Sequence, residues 1–103
     1  MADVRIWVDD TKKPPVGWLW AKTVDAAIAA LRSPDVSDLS LDHDLGGDQT
    51  GMQIVDWMSM TETWPQRIDL HTENPVGADN MMRALVNDGP YEKRTPRTLV
   101  RTS

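Results

Sequence analysis

The chain has no cysteine, only two histidines, and no long apolar run. Without cysteine there is no disulfide framework, no thiolate metal site and no cysteine nucleophile. That absence fits a reducing compartment. No stretch approaches the roughly 20 apolar residues that a membrane span needs. The opening MADVRIWVDD lacks the basic-then-apolar design of a signal peptide. The expectation is a cytoplasmic protein with no membrane partner. A formal net charge of −5 argues against binding duplex DNA through its phosphates. There is no internal repeat, no low-complexity tract and no linker, so residues 1–103 are expected to form one domain.

The charge that is present is uneven. From Pro90 onward, Lys93, Arg94, Arg97 and Arg101 outnumber Glu92 by three, which leaves an excess of eight negative charges on the rest. An acidic body with a basic tail suits a metal in one place and a phosphate in another. The plainer reading of 90–103 is a solvated, frayed end.

Hydrophobic spacing predicts alternating strands and helices. Val4 to Val8 reads as a strand ending in Asp9-Asp10, and Trp18 to Lys22 as a second short strand after a proline loop. Thr23 is placed to cap a helix whose stripe is Val24, Ala27, Ile28 and Leu31. Asp38 to Asp42 is a third strand, followed by a glycine loop and a helix from Gly51 to Met60. Arg67 to Thr72 is a fourth strand. Asn74 then caps a helix with Pro75 in its first turn and Ala78, Met81, Met82 and Leu85 on its stripe. Thr98 to Val100 is a weak fifth strand.

This order implies an α/β fold with a mainly parallel, flavodoxin-like sheet of order 2-1-3-4-5. Right-handed crossovers put all three helices on one face. The strands agree, since Val4, Ile6, Val8, Leu39, Leu41, Ile68 and Leu70 point one way while Arg5, Trp7, Ser40, Asp42, Asp69 and His71 point the other. The second face is therefore expected to be half open, covered by the proline loop, by the basic tail, or by a second copy of the chain in a homodimer.

Ligands of open parallel sheets bind beyond the carboxyl ends of the strands. There the chain puts Asp9 and Asp10, then Asp42, His43 and Asp44, then His71, Thr72, Glu73 and Asn74. Carboxylates so gathered need a partner, and oxygen donors suit Mg²⁺ or Mn²⁺, with Asp9, Asp10 and Asp42 as the ligands. Histidine can act as acid or base near neutrality. By strand parity His43 and His71 should point to different faces, which sits awkwardly with a mechanism that uses both. Trp18 and Trp20 are the candidates for stacking a base, whereas Trp57 and Trp64 suit packing.

These residues resemble a response-regulator receiver domain without its first and last helices. Asp9-Asp10 match the receiver's metal pair, Asp42 its phospho-acceptor, Thr72 its hydroxyl residue and Gly51 the glycine opening a helix. The receiver lysine has no clear counterpart, and Arg101 is the nearest candidate. The chain is still more similar to the cyclic-phosphate processing receiver-like (cREC) family over about residues 4–86. Trp7-Val8-Asp9-Asp10, Pro14 to Trp18, the run Leu41-Asp42-His43-Asp44-Leu45-Gly46, His71 to Pro75 and Asn80-Met81 carry that similarity.

The resemblance implies processing of a cyclic phosphate, such as a 2′,3′-cyclic nucleotide or RNA end. In that reading Asp9, Asp10 and Asp42 hold the metal. His43 and His71, with Asp42 and Asp44, do the chemistry. Thr72, Asn74, Trp18 and Arg101 hold the substrate. Two alternatives stand beside the hydrolase: a non-catalytic binding module using the open face, and a phospho-acceptor receiver using Asp42.

Overall fold

The computed structural model describes residues 3–102; positions 1, 2 and 103 of the expected domain lie outside them. The elements are β1 (Val4–Val8), β2 (Leu19–Ala21), α1 (Val24–Leu31), β3 (Val36–Leu41), α2 (Gly51–Thr61), β4 (Arg67–Leu70), α3 (Pro75–Asp88), β5 (Tyr91–Thr95) and β6 (Thr98–Arg101). They form one six-stranded sheet of order β2-β1-β3-β4-β6-β5. The β2-β1, β1-β3 and β3-β4 pairs are parallel, while β6 and β5 run antiparallel to their neighbours.

Period-two alternation decides which face is buried. Ile6, Val8, Leu39, Leu41, Ile68 and Leu70 all lie in the core, as the parity of their strands requires. The helices close over them in one layer, with α2 in contact with both α1 and α3. Their buried residues are Ala27 and Leu31, then Ile54, Val55 and Met58, then Ala78, Met81, Met82 and Leu85. Each helix starts where a side chain satisfies a free amide. Thr23 accepts from Ala26 N at 3.1 Å and Asn74 from Gly77 N at 3.0 Å, while Gln53 reaches back to Thr50 N at 3.0 Å. No helix among the described residues is long and apolar enough to cross a membrane.

Two expectations are corrected at the C-terminal end. The tail is a β-hairpin, not a frayed end, and it adds a strand that the sequence reading omitted. Its anchors are Tyr91 and Leu99, both buried, and the Tyr91 hydroxyl donates to Pro65 O at 2.6 Å. Burial pushes that phenol well above its ordinary pKa. The hairpin extends the sheet edge and does not cover the open face. The proline loop covers the Trp7 end of that face: the Trp7 indole donates to Lys12 O at 2.8 Å, and Trp18 meets the Trp7 ring edge-on at 6.2 Å.

Leu99→Ala should cost about 2–5 kcal/mol of unfolding free energy, the usual range for a fully buried leucine. Urea denaturation reads it. A change near zero would mean that the hairpin lies outside the cooperative unit.

Candidate functional site

The ladder of the parallel strands continues one residue beyond each strand and brings three tips to the same level. Asp9 N bonds to Ala21 O at 3.1 Å, Asp42 N to Val8 O at 3.0 Å and His71 N to Leu41 O at 2.9 Å. Asp9, Asp10 and Asp42 thereby converge, each offering an oxygen within 4.8 Å of the others. Three carboxylates that close repel one another strongly unless a cation or proton intervenes. The cluster is all hard oxygen donors, and Asp10 makes no side-chain hydrogen bond among the described residues. The residues present therefore fit a divalent cation of the oxygen-seeking kind.

Asp9 differs from its neighbours in being 1 % exposed. Its Oδ1 accepts from Thr11 N at 2.9 Å and Lys12 N at 2.8 Å. Its Oδ2 faces His71 Nε2 at 3.0 Å. Burial alone would raise this carboxyl, but the two loop amides and the imidazole outweigh it and hold the pKa below its ordinary value.

The two histidines occupy different environments on opposite faces of the sheet, as parity requires. His71 stacks on the Trp7 indole at 3.9 Å with the planes 8° apart. Its Nδ1 meets the buried Ser40 hydroxyl at 2.6 Å while Nε2 meets Asp9. Burial holds its pKa below the ordinary value even though Asp9 pulls it upward. The arrangement consistent with all of this is a neutral ring whose Nε2–H donates to an ionised Asp9 and whose Nδ1 accepts from Ser40. Both nitrogens are then spent inside the protein.

His43 lies on the helix face. Its ring packs directly on Gly77 near the start of α3, where any Cβ would collide with it. Nδ1 meets Asp44 Oδ1 at 3.0 Å. Asn74 Nδ2 approaches the same nitrogen at 3.5 Å but bonds Asp44 Oδ2 at 3.3 Å. The shorter Asp44 contact decides the tautomer: Nδ1 carries the proton, and Nε2 is a free lone pair with no hydrogen bond among the described residues. The His43 and Asn74 side chains in turn hold the exposed Asp44 carboxyl below its ordinary value.

Glycines allow the loop after β3 to come this close. Gly51 sits against the Asp42 carbonyl, where a Cβ would clash. Gly46, at φ +89°, lies where a Cβ would come within 3.2 Å of Asp10 Oδ2. Of the other expected site residues, Thr72 is buried and accepts from Asn74 N at 3.1 Å, which fixes the turn into α3. Trp18 stands on the open face against Trp7. Trp20 donates to Asp9 O at 2.8 Å and carries Lys22 over its ring, so it packs behind the acid.

Arg101 lies at the far end of the sheet, where it donates to Trp64 O at 3.0 Å and pairs in register with Tyr91. Because β6 runs antiparallel to β4, the strand's first residues, not its last, stand beside the site. The cation found there is Arg97, which donates to Thr72 O at 2.6 Å. Ser40 and Arg97 were both missed. Parity had placed Ser40 beside Trp7 on the open face, and that was the available signal for it.

Protonating the half-buried His71 is harder than protonating the same ring in the unfolded chain. Its folded pKa lies below 6.5, so stability falls as pH drops below that value. Metal-free urea midpoints should fall between pH 7 and pH 5, and His71→Asn should flatten that slope. An equally steep slope in the variant would refute the neutral-ring assignment.

A family model described as a cyclic-phosphate processing receiver domain matches residues 4–87. No curated protein and no solved structure matches the chain.

Proposed function

The chain belongs to the cyclic-phosphate processing receiver domain family, and from that premise we propose that it hydrolyses a 2′,3′-cyclic phosphate on a nucleotide or RNA end. The observation that carries this reading is the imidazole of His43, one residue after Asp42 of the three-carboxylate cluster, whose Nδ1 is held by Asp44 and whose Nε2 makes no hydrogen bond among the described residues. A phospho-acceptor needs the cluster and no imidazole base, so a receiver using Asp42 is the lesser reading. A pure binding module has no use for a carboxylate-oriented imidazole with an open nitrogen.

Asp10 and Asp42, with Asp9 beneath them, would hold Mg²⁺ or Mn²⁺. Such a cation supplies charge stabilisation and orientation of the phosphate. His43 Nε2 removes a proton from water. The water oxygen forms a bond to phosphorus, one ribose–oxygen bond to phosphorus breaks, and the departing oxygen takes a proton from solvent. The product is a phosphomonoester. Asp44 keeps the His43 ring in the tautomer that leaves Nε2 open, and Asn74 holds Asp44.

His71 is a positioning residue in this scheme, not a second proton carrier. With Ser40 it fixes one oxygen of Asp9, leaving Asp10 and Asp42 the more available ligands. Trp18, on the open face beside Trp7, is the aromatic surface offered to a nucleobase.

Purified protein with Mn²⁺ should turn over a nucleoside 2′,3′-cyclic phosphate. His43→Gln should lower kcat by about 10²–10⁴-fold, the usual worth of a general base. His71→Asn should instead raise the Mn²⁺ concentration needed and be rescued by added Mn²⁺. Full activity in His43→Gln would overturn the mechanism. Gly77→Ala, which pushes a methyl into the His43 ring, should lower kcat with little change in Mn²⁺ requirement.

A further inference from the structure

The family match ends at residue 87, whereas the β5–β6 hairpin spans 91–101. This addition is docked against the site. Leu70 N bonds to Arg97 O at 2.8 Å, and the Arg97 guanidinium grips Thr72 O at 2.6 Å, on the loop that carries His71 and Asn74. The tip is closed by Thr95, whose hydroxyl accepts from Arg97 N at 3.2 Å. A register shift between Lys93 and Thr95 leaves Arg94 without a strand partner, and such bulges re-aim a side chain outward.

Arg94 is exposed, and among the described residues its one ion pair is with Glu92, at 3.6 Å, in a pair whose members are each 58 % exposed. A pair that open holds its partners weakly, so Arg94 is free to exchange Glu92 for a phosphate. Lys12 and Lys13 are exposed on the loop after Asp10. Lys12 reaches the still more exposed Glu73, at 3.8 Å.

Cations thus stand on two sides of an acidic floor, on a chain whose other surface is strongly negative. That body repels a polyanion over roughly a Debye length, about 8 Å at physiological salt. A mononucleotide places its single phosphate at the carboxylate cluster and has nothing for the hairpin to hold. An oligonucleotide brings further phosphates that need local cations to approach. We propose that Arg94 and Arg97 bind the phosphates flanking the reacting end, so that the substrate class is a single-stranded oligoribonucleotide ending in a cyclic phosphate, not a free nucleotide. This rests on the hydrolase reading above.

Two measurements separate the two claims. The first is turnover of a nucleoside 2′,3′-cyclic phosphate and of a short oligoribonucleotide with the same end. Wild-type protein should favour the oligonucleotide in kcat/KM. Arg94→Ala and Arg97→Ala should each lower the oligonucleotide-to-mononucleotide ratio several-fold, chiefly through KM, with Arg94→Glu lowering it further.

The second needs no chemistry: anisotropy of a labelled single-stranded oligoribonucleotide bearing a 3′-phosphate, titrated across salt. Each substitution should reduce the salt slope by about 0.7, the release expected for one phosphate contact on a single strand. A reduced slope without turnover of either substrate would sink the hydrolase and keep the hairpin's role. Mononucleotide turnover with salt slopes unchanged in all three variants would sink the hairpin's role alone. Because Arg97 also holds the Thr72 loop, Arg94 decides the matter if Arg97→Ala unfolds the protein.

Discussion

The site depends on one buried carboxylate. Asp9 is almost wholly removed from water, a position that ordinarily neutralises an acid or expels it. It stays ionised because its two oxygens are satisfied from opposite sides. The loop amides of Thr11 and Lys12 take one, and His71, steadied by Ser40 and by the Trp7 face, takes the other. Folding of the proline loop, stacking of Trp7 and the position of the strand tips are therefore coupled through a single side chain. If the loop moved, Asp9 would lose two donors and His71 the acceptor that holds its ring. The acidic floor on which Asp10 and Asp42 converge would lose its lowest member.

That coupling divides the two histidines by chemistry. His71 uses its donors and acceptors to hold the protein together. His43 has one nitrogen held and one open, and it lies against a glycine at the start of α3 that leaves no room for the ring to shift inward. Carboxylate-oriented imidazole is the arrangement in which one tautomer is enforced and the opposite lone pair is exposed. The same residue type, two positions after Leu41 in one case and directly after Leu70 in the other, ends up with one nitrogen open in the first and as a brace in the second. The sheet decides which, because strand parity sends one ring under the helices and the other onto Trp7.

Much of this was legible in the residues. Alternation in Val4–Val8, Leu39–Leu41 and Ile68–Leu70 marked the buried face and therefore the side on which Trp7, Ser40 and His71 meet. Parity also separated the histidines. The last hairpin was not legible, for a physical reason: Tyr91–Thr95 is an edge strand with one buried residue and four exposed ones, so no alternation survives to be read. Missing it misassigned the cation. If the fifth strand ran parallel, Arg101 would end at the site. Since β6 returns antiparallel from a turn, that place goes to Arg97. The locking of His71 by Ser40 was hidden because a hydrogen bond across neighbouring strands leaves no periodic trace in the sequence.

The charge distribution then reads as a consequence of topology, not of composition. A net negative chain is a poor ligand for nucleic acid as a whole, yet the antiparallel return brings Arg94 and Arg97 to the same sheet end as the carboxylates. Three carboxylates so close require opposite charge at their centre. The guanidinium groups at the edge do not cancel the carboxylates, because Arg97 places one N–H on the Thr72 carbonyl and the acid paired with Arg94 is the solvent-screened Glu92. Separation by a few residues of hairpin is enough to let one small sheet edge hold both signs.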